Sequence, residues 1–134
     1  MSNENEKLTI NLGVVELAQI DVLVEQGIYS NRSDFIRSSI RRYLESYKDK
    51  IENVLQPVSG RRNWRWTVGI LTINKGTLLS LVDENATIRL SVIGMLYVEN
   101  DVSAELFKKA VKQVNLRGKL VASDEIKSVI NSLA

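Results

Sequence analysis

The stretch "KLTINL", Lys7 to Leu12, alternates strictly: Leu8, Ile10 and Leu12 on one side, Lys7, Thr9 and Asn11 on the other. A period of two reads as a strand with one buried and one solvated face. The next forty residues carry helical periodicity, so this strand has no neighbour nearby in its own chain. A lone strand leaves its backbone N–H and C=O groups unpaired and is not stable in water. Any fold for this chain must therefore supply a partner for residues 7–12.

After Gly13, "VVELAQIDVLVEQ" places Val14, Leu17, Ile20, Leu23 and Val24 on one helical face. Gly27 stands where a helix-ending glycine belongs. "IYSNRSD" is a short connection, and a second, longer helix follows through residue 55. Its apolar positions are Phe35, Ile36, Ile40, Tyr43, Leu44, Tyr47, Ile51 and Leu55. Asn31 is its N-cap, and Asp34 completes something close to a capping box. The single proline, in "QPVSGRR", marks a linker over 56–62. Three further regions are expected: a mobile lead-in at 1–6, a first domain over 7–55 and a second over 63–134.

The second domain reads as α+β. "NWRWTVGILTI" is a strand with Trp64, Trp66, Val68 and Ile70 on one face. "TLLSLV" reads as a further strand, and "TIRLSVIGMLYV" as one long strand or two short ones. "SAELFKKAVKQV" (103–114) is an amphipathic helix capped by Ser103. "LRGKLVA" is a strand, and the last helix is capped by Ser123. "GMLYVENDV" at 94–102 resembles "GKLVASDEI" at 118–126, an offset of about 24 residues. A short strand–helix repeat is one reading of this domain and a generic α+β sandwich the other.

The order strand, helix, Gly27 turn, "NRSDFIR" and second helix resembles the ribbon-helix-helix proteins of the Arc/MetJ/CopG type, over residues 7–47. The resemblance implies an intertwined homodimer. Two N-terminal strands pair antiparallel across a two-fold axis, and the ribbon enters the major groove of double-stranded DNA. Leu8, Ile10, Leu12, Leu17, Ile20, Phe35, Ile36 and Ile40 would form the shared core. Lys7, Thr9 and Asn11 would meet base edges, where asparagine suits adenine and lysine suits guanine. The backbone amides around Asn31, Arg32 and Ser33, at the positive end of the second helix, would clamp a phosphate. Arg61 and Arg62 would touch DNA flanking the site. "RRNWRW" interleaves arginine with tryptophan, a pattern also met in single-strand binders, but the tryptophans share parity with Val68 and Ile70 and read as packing residues.

No motif for an enzyme, a cofactor or a metal is present. The chain has no histidine and no cysteine, which removes imidazole and thiolate chemistry. Nickel-responsive repressors share the general plan, but their metal site needs those residues. The lack of cysteine fits a reducing cytoplasm, and no apolar run reaches the length of a membrane span. The function expected is sequence-specific transcriptional regulation, by repression. Residues 63–134 are expected to build higher oligomers. A DNA-coating or plasmid-partition protein, a ligand-sensing repressor and an antitoxin are the alternatives.

Overall fold

The computed structural model describes residues 5–55 and 63–133. The expected lead-in lies largely, and the linker with Arg61 and Arg62 wholly, outside the described residues. The chain divides into two compact units, one within Met1–Lys48 and one within Asp49–Ala134.

The first unit is a helical pair, α1 (Val14–Glu25) and α2 (Arg32–Ser46). α1 ends as its sequence dictates. Gly27 adopts φ 77°, a conformation that a Cβ disfavours. Its N–H donates to the Val24 carbonyl and that of Ile28 to the Leu23 carbonyl, both at 3.0 Å. These are the paired bonds of a Schellman ending. The expected single helix through residue 55 is instead two. α2 stops at Tyr47, which leaves helical geometry at φ −104°, ψ 11°, and α3 (Lys48–Leu55) follows. Residues 5–13 form no strand in the single chain. A ladder needs two strands, and neither helix can provide one.

The second unit holds three strands, each followed by a helix: β1 (Trp64–Ile73), α4 (Lys75–Asp83), β2 (Ile88–Val98), α5 (Ala104–Ala110), β3 (Val111–Val121) and α6 (Asp124–Leu133). The strands are parallel and lie in the order β1-β2-β3. Parallel neighbours need a crossover, and α4 and α5 are those crossovers. This corrects two expectations. "TLLSLV" is helical, because Asn74 caps it by accepting the Thr77 N–H at 2.8 Å and because a strand there could not connect β1 to a parallel β2. The helix begun at Ser103 ends at Ala110 rather than 114, since Val111 and Val114 are drawn into pairing with β2. Residues 88–98 are one long strand. Ser103 and Ser123 cap as their positions suggest, accepting from the Leu106 and Ile126 amides.

The core lies between the sheet and its helices. Leu90, Val92, Leu96 and Val98 of β2 share strand parity and are buried together with Leu78, Phe107, Ile126 and Ile130. The strands are in register through their glycines: Gly69 faces Gly94, which faces Gly118. Leu71, Leu96 and Leu120 form the matching leucine row two residues on. A Cβ on Gly94 would fall onto the carbonyl oxygen of Gly69, and one on Gly118 onto that of Gly94. Both glycines sit near φ +135°. At Gly94 and Gly118 a side chain is therefore opposed on two grounds, space and backbone conformation; at Gly69 there is room, and backbone conformation alone opposes it.

Among the described residues no helix is long and apolar enough to cross a membrane. Gly94→Ala is expected to cost more than about 2 kcal/mol of stability. Gly76→Ala, in the first turn of α4 where a Cβ meets ordinary contacts, is expected to gain about 0.5–1 kcal/mol. Denaturation followed by tryptophan fluorescence separates the two, because both tryptophans lie in β1.

Candidate nucleic-acid interface

The first unit has two notable surfaces, one apolar and one built around the start of α2. The apolar surface follows from α1. Its sequence VVELAQIDVLVE carries one apolar stripe, Leu17, Ile20, Leu23 and Val24, and a second, Val15 and Val22 with Ala18 between them. The sequence suggests one apolar face; the helix has apolar residues round most of its circumference. Such a helix is at home only when buried on more than one side. In the single chain Ile20 is buried, while Val15 and Val22 are exposed.

Residues 5–13 add to this exposure. Leu8 is 81% and Ile10 53% accessible, although alternation marks them as inward-facing. Beside them runs an open groove of about 510 Å³, lined by Ile10, Leu12, Ile20, Leu23, Phe35, Ile36 and Ile40. Six of the eight residues expected in the dimer core line this groove; Leu8 and Leu17 do not. Lys7, Thr9 and Asn11 are all exposed on the same segment.

The second surface is held by side chains of known geometry. Asn31 Oδ1 accepts the Asp34 N–H at 2.8 Å, and Asp34 Oδ2 accepts the Ser30 N–H at 2.9 Å. This is the reciprocal cap anticipated from the sequence, with the return bond made to Ser30 rather than to Asn31. The ring of Phe35 meets that of Tyr29 edge-on at 5.1 Å, pinning the connection to the helix. Helix geometry then turns the amides of Arg32 and Ser33, the first two of α2, outward without an intrahelical acceptor, at the positive end of the helix dipole.

Arg32 shows what sequence reasoning could not see. Its Nε and Nη2 donate to the two carboxylate oxygens of Asp21, at 2.8 and 2.9 Å. This fork ties α1 to the start of α2. The hydrogen bond and charge of Arg32 hold the Asp21 carboxyl below the usual carboxylate range, against a smaller opposing effect of desolvation. Arg32, whose backbone amide is expected at a phosphate, thus has its guanidinium engaged within its own chain. Nothing in the local sequence announces a pair eleven residues apart. Arg37, Arg41 and Arg42 are exposed along α2.

A family model of ribbon-helix-helix transcriptional regulators matches residues 3–127, across both units. The chain belongs to the ribbon-helix-helix transcriptional regulator family. This ribbon-helix-helix chain is also 27% identical, over 59 residues, to the transcriptional regulator CdrS of Halobacterium salinarum. The match covers 93% of that protein and 44% of this chain, so more than half of the chain has no counterpart there. No solved structure matches the chain.

Because the Asp21 carboxyl titrates lower in the folded head than in the unfolded chain, the pair contributes stability that is present above about pH 4, the unfolded value. That contribution is lost as pH falls through the depressed folded value. Asp21→Asn is expected to flatten the acid side of the head's stability profile and leave the second unit unchanged. Amide exchange of α1 and α2 against that of β2, measured across the acid range, checks this.

Proposed function

We propose that two copies of this chain pair residues 7–12 into an antiparallel ribbon that reads the major groove of an operator, and that the protein acts as a transcriptional repressor. The observation that carries this reading is the open apolar groove beside an exposed, alternating, unpaired segment, in a chain of the ribbon-helix-helix family. A second copy supplies both missing elements at once. Its strand satisfies the ladder, and its Ile10, Leu12 and α1 fill the groove.

Pairing buries Leu8, Ile10 and Leu12 and turns Lys7, Thr9 and Asn11, with their symmetry mates, to one wet face. A two-stranded ribbon fits the major groove. On either side, the exposed amides of Arg32 and Ser33 meet a phosphate, with the Asn31 cap fixing the turn that presents them. The Arg32 guanidinium acts through Asp21 to hold this loop. Arg61 and Arg62 add flanking backbone contacts. Phosphate contacts place the protein, and base contacts choose the sequence.

The second unit, in this reading, links head dimers so that neighbouring half-sites are occupied together. Tethering raises the effective concentration of the second head at its site.

Asn11→Ala and Thr9→Ala are each expected to weaken operator binding by about 1–3 kcal/mol, the worth of a bidentate bond to a base edge, with little change on unrelated DNA. Binding isotherms on the protein's own upstream DNA and on a scrambled duplex measure both. An equal effect on the two duplexes would overturn base reading. Arg32→Ala is expected to weaken binding on both. Its salt slope should stay unchanged, whereas removal of a true phosphate ligand lowers that slope by about one unit.

A further inference from the structure

The two ends of the three-strand stack in the second unit are chemically unlike. At the β3 end the strand carries Lys112, Arg117 and Lys119, all exposed. The outward residues of α6 are Asp124, Glu125, Lys127, Ser128, Asn131 and Ser132. Cations on an edge strand and a polar outer helix are how a stack is closed to further growth. The β1 end is less guarded. Among the described residues, apart from Val54 on α3, every large apolar side chain exposed in this unit belongs to the first strand–helix pair: Trp66, Val68 and Ile70 at 44–50% and Leu79 at 44%. β1 contains a single charge, Arg65.

Among the described residues, the backbone of β1 is unpaired on the same side. The carbonyls of Asn63 and Ile73 accept from the amides of Arg89 and Glu99, so odd-numbered residues bond toward β2. By the alternation of a parallel ladder, the N–H and C=O groups of Trp64, Trp66, Val68, Ile70 and Thr72 face away from it. An all-parallel sheet is normally covered on both faces, and long apolar edges left open recruit another strand.

We propose that β1 pairs antiparallel with β1 of a second copy across a two-fold axis beside Val68, joining two three-stranded sheets into one of six strands. This rests on the self-association proposed for the second unit and gives it an edge, a symmetry and a register. The occupant is set by self-complementarity. With Val68 opposite the partner's Val68, Trp66 falls opposite the partner's Ile70 and Trp64 opposite the partner's Thr72. Each pair joins residues whose backbone groups face outward, as an antiparallel ladder requires. An aromatic residue meets a β-branched one on one face, a favourable cross-strand pair. Arg65 and its mate stay apart. The six-stranded product ends at both sides in the cationic β3 and polar α6, so the contact is isologous and closes.

The chain has no cysteine, so Val68→Cys introduces a unique thiol. Hydrogen-bonded antiparallel partners stand about 5.5 Å apart at Cα, within disulfide reach. Under mild oxidation the full-length Val68→Cys protein is expected to run as a covalent dimer on a non-reducing gel, while Lys112→Cys remains monomeric. A Val68→Cys protein that stays reduced would overturn the proposal. So would a ladder of covalent multimers from a chain carrying both Val68→Cys and Arg117→Cys, which would mark head-to-tail stacking of β3 on β1.

A second measurement separates this edge from self-association as such. Ile10→Asp removes pairing through the heads, and the full chain is then expected to keep a dimer mass in sedimentation. Adding Val68→Pro, where the N–H faces away from β2, is expected to halve that mass; Val68→Lys at the same edge is expected to do likewise. A monomeric Ile10→Asp chain would remove self-association through the second unit altogether. A dimer that survives both edge substitutions would keep self-association and discard β1 as its site.

Discussion

A strand cannot satisfy its own backbone. Residues 7–12 have one apolar and one polar side, with donors and acceptors along both edges, and the described residues of their own unit hold no strand. The rest of the head is arranged around that deficit. The groove between α1 and α2 is lined by the residues that a paired strand would cover. α1 is apolar on a second side that no described residue of its own unit buries. Leu8, Val14 and Val15, exposed at 81%, 85% and 72%, are a large apolar surface for so small a unit to leave in water. On the proposed reading, association and folding of the head are one process, and the wet face of the ribbon exists only once the dimer does.

The two units solve the strand problem differently. The second unit pairs three strands within one chain and spaces them by a glycine column, so that each carbonyl occupies the place of the next strand's Cβ. That arrangement satisfies the inner edges and leaves two outer ones. One is guarded by lysine and arginine, and the other is apolar. On the proposed reading, each unit carries an incomplete sheet that another copy completes. Such an architecture suits a regulator whose occupancy depends on concentration.

Much of the head is legible in the sequence because its signals are local. A glycine at a helix end, an asparagine before a helix and a period of two each act within a few residues. Gly27, Asn31 and Asp34 behave in the structure as their spacing suggests. The Asp21–Arg32 fork is hidden because it depends on how two helices meet. The second unit is harder for a related reason. "TLLSLV" is too short for periodicity to separate a helix from a buried strand, and only the parallel pairing decides it. The β3 start at Val111 is likewise set by its neighbour. One signal lies in the sequence without standing out: Gly69 begins a third copy of the pattern at Gly94 and Gly118, with Leu71 two residues on. The cap follows its glycine at the same spacing in the first and third copies, at Asn74 and Ser123, and later in the second, at Ser103, where the connection is longer.

The central claim is that the ribbon exists only between chains. Amide hydrogen exchange of residues 7–12, followed as the protein is diluted through its association range, tests it most directly. The amides should be protected when the protein is concentrated, and on dilution they should become exchangeable together with those of α1. Exchange that stays fast in residues 7–12 at every concentration, with α1 and α2 protected throughout, would contradict the account.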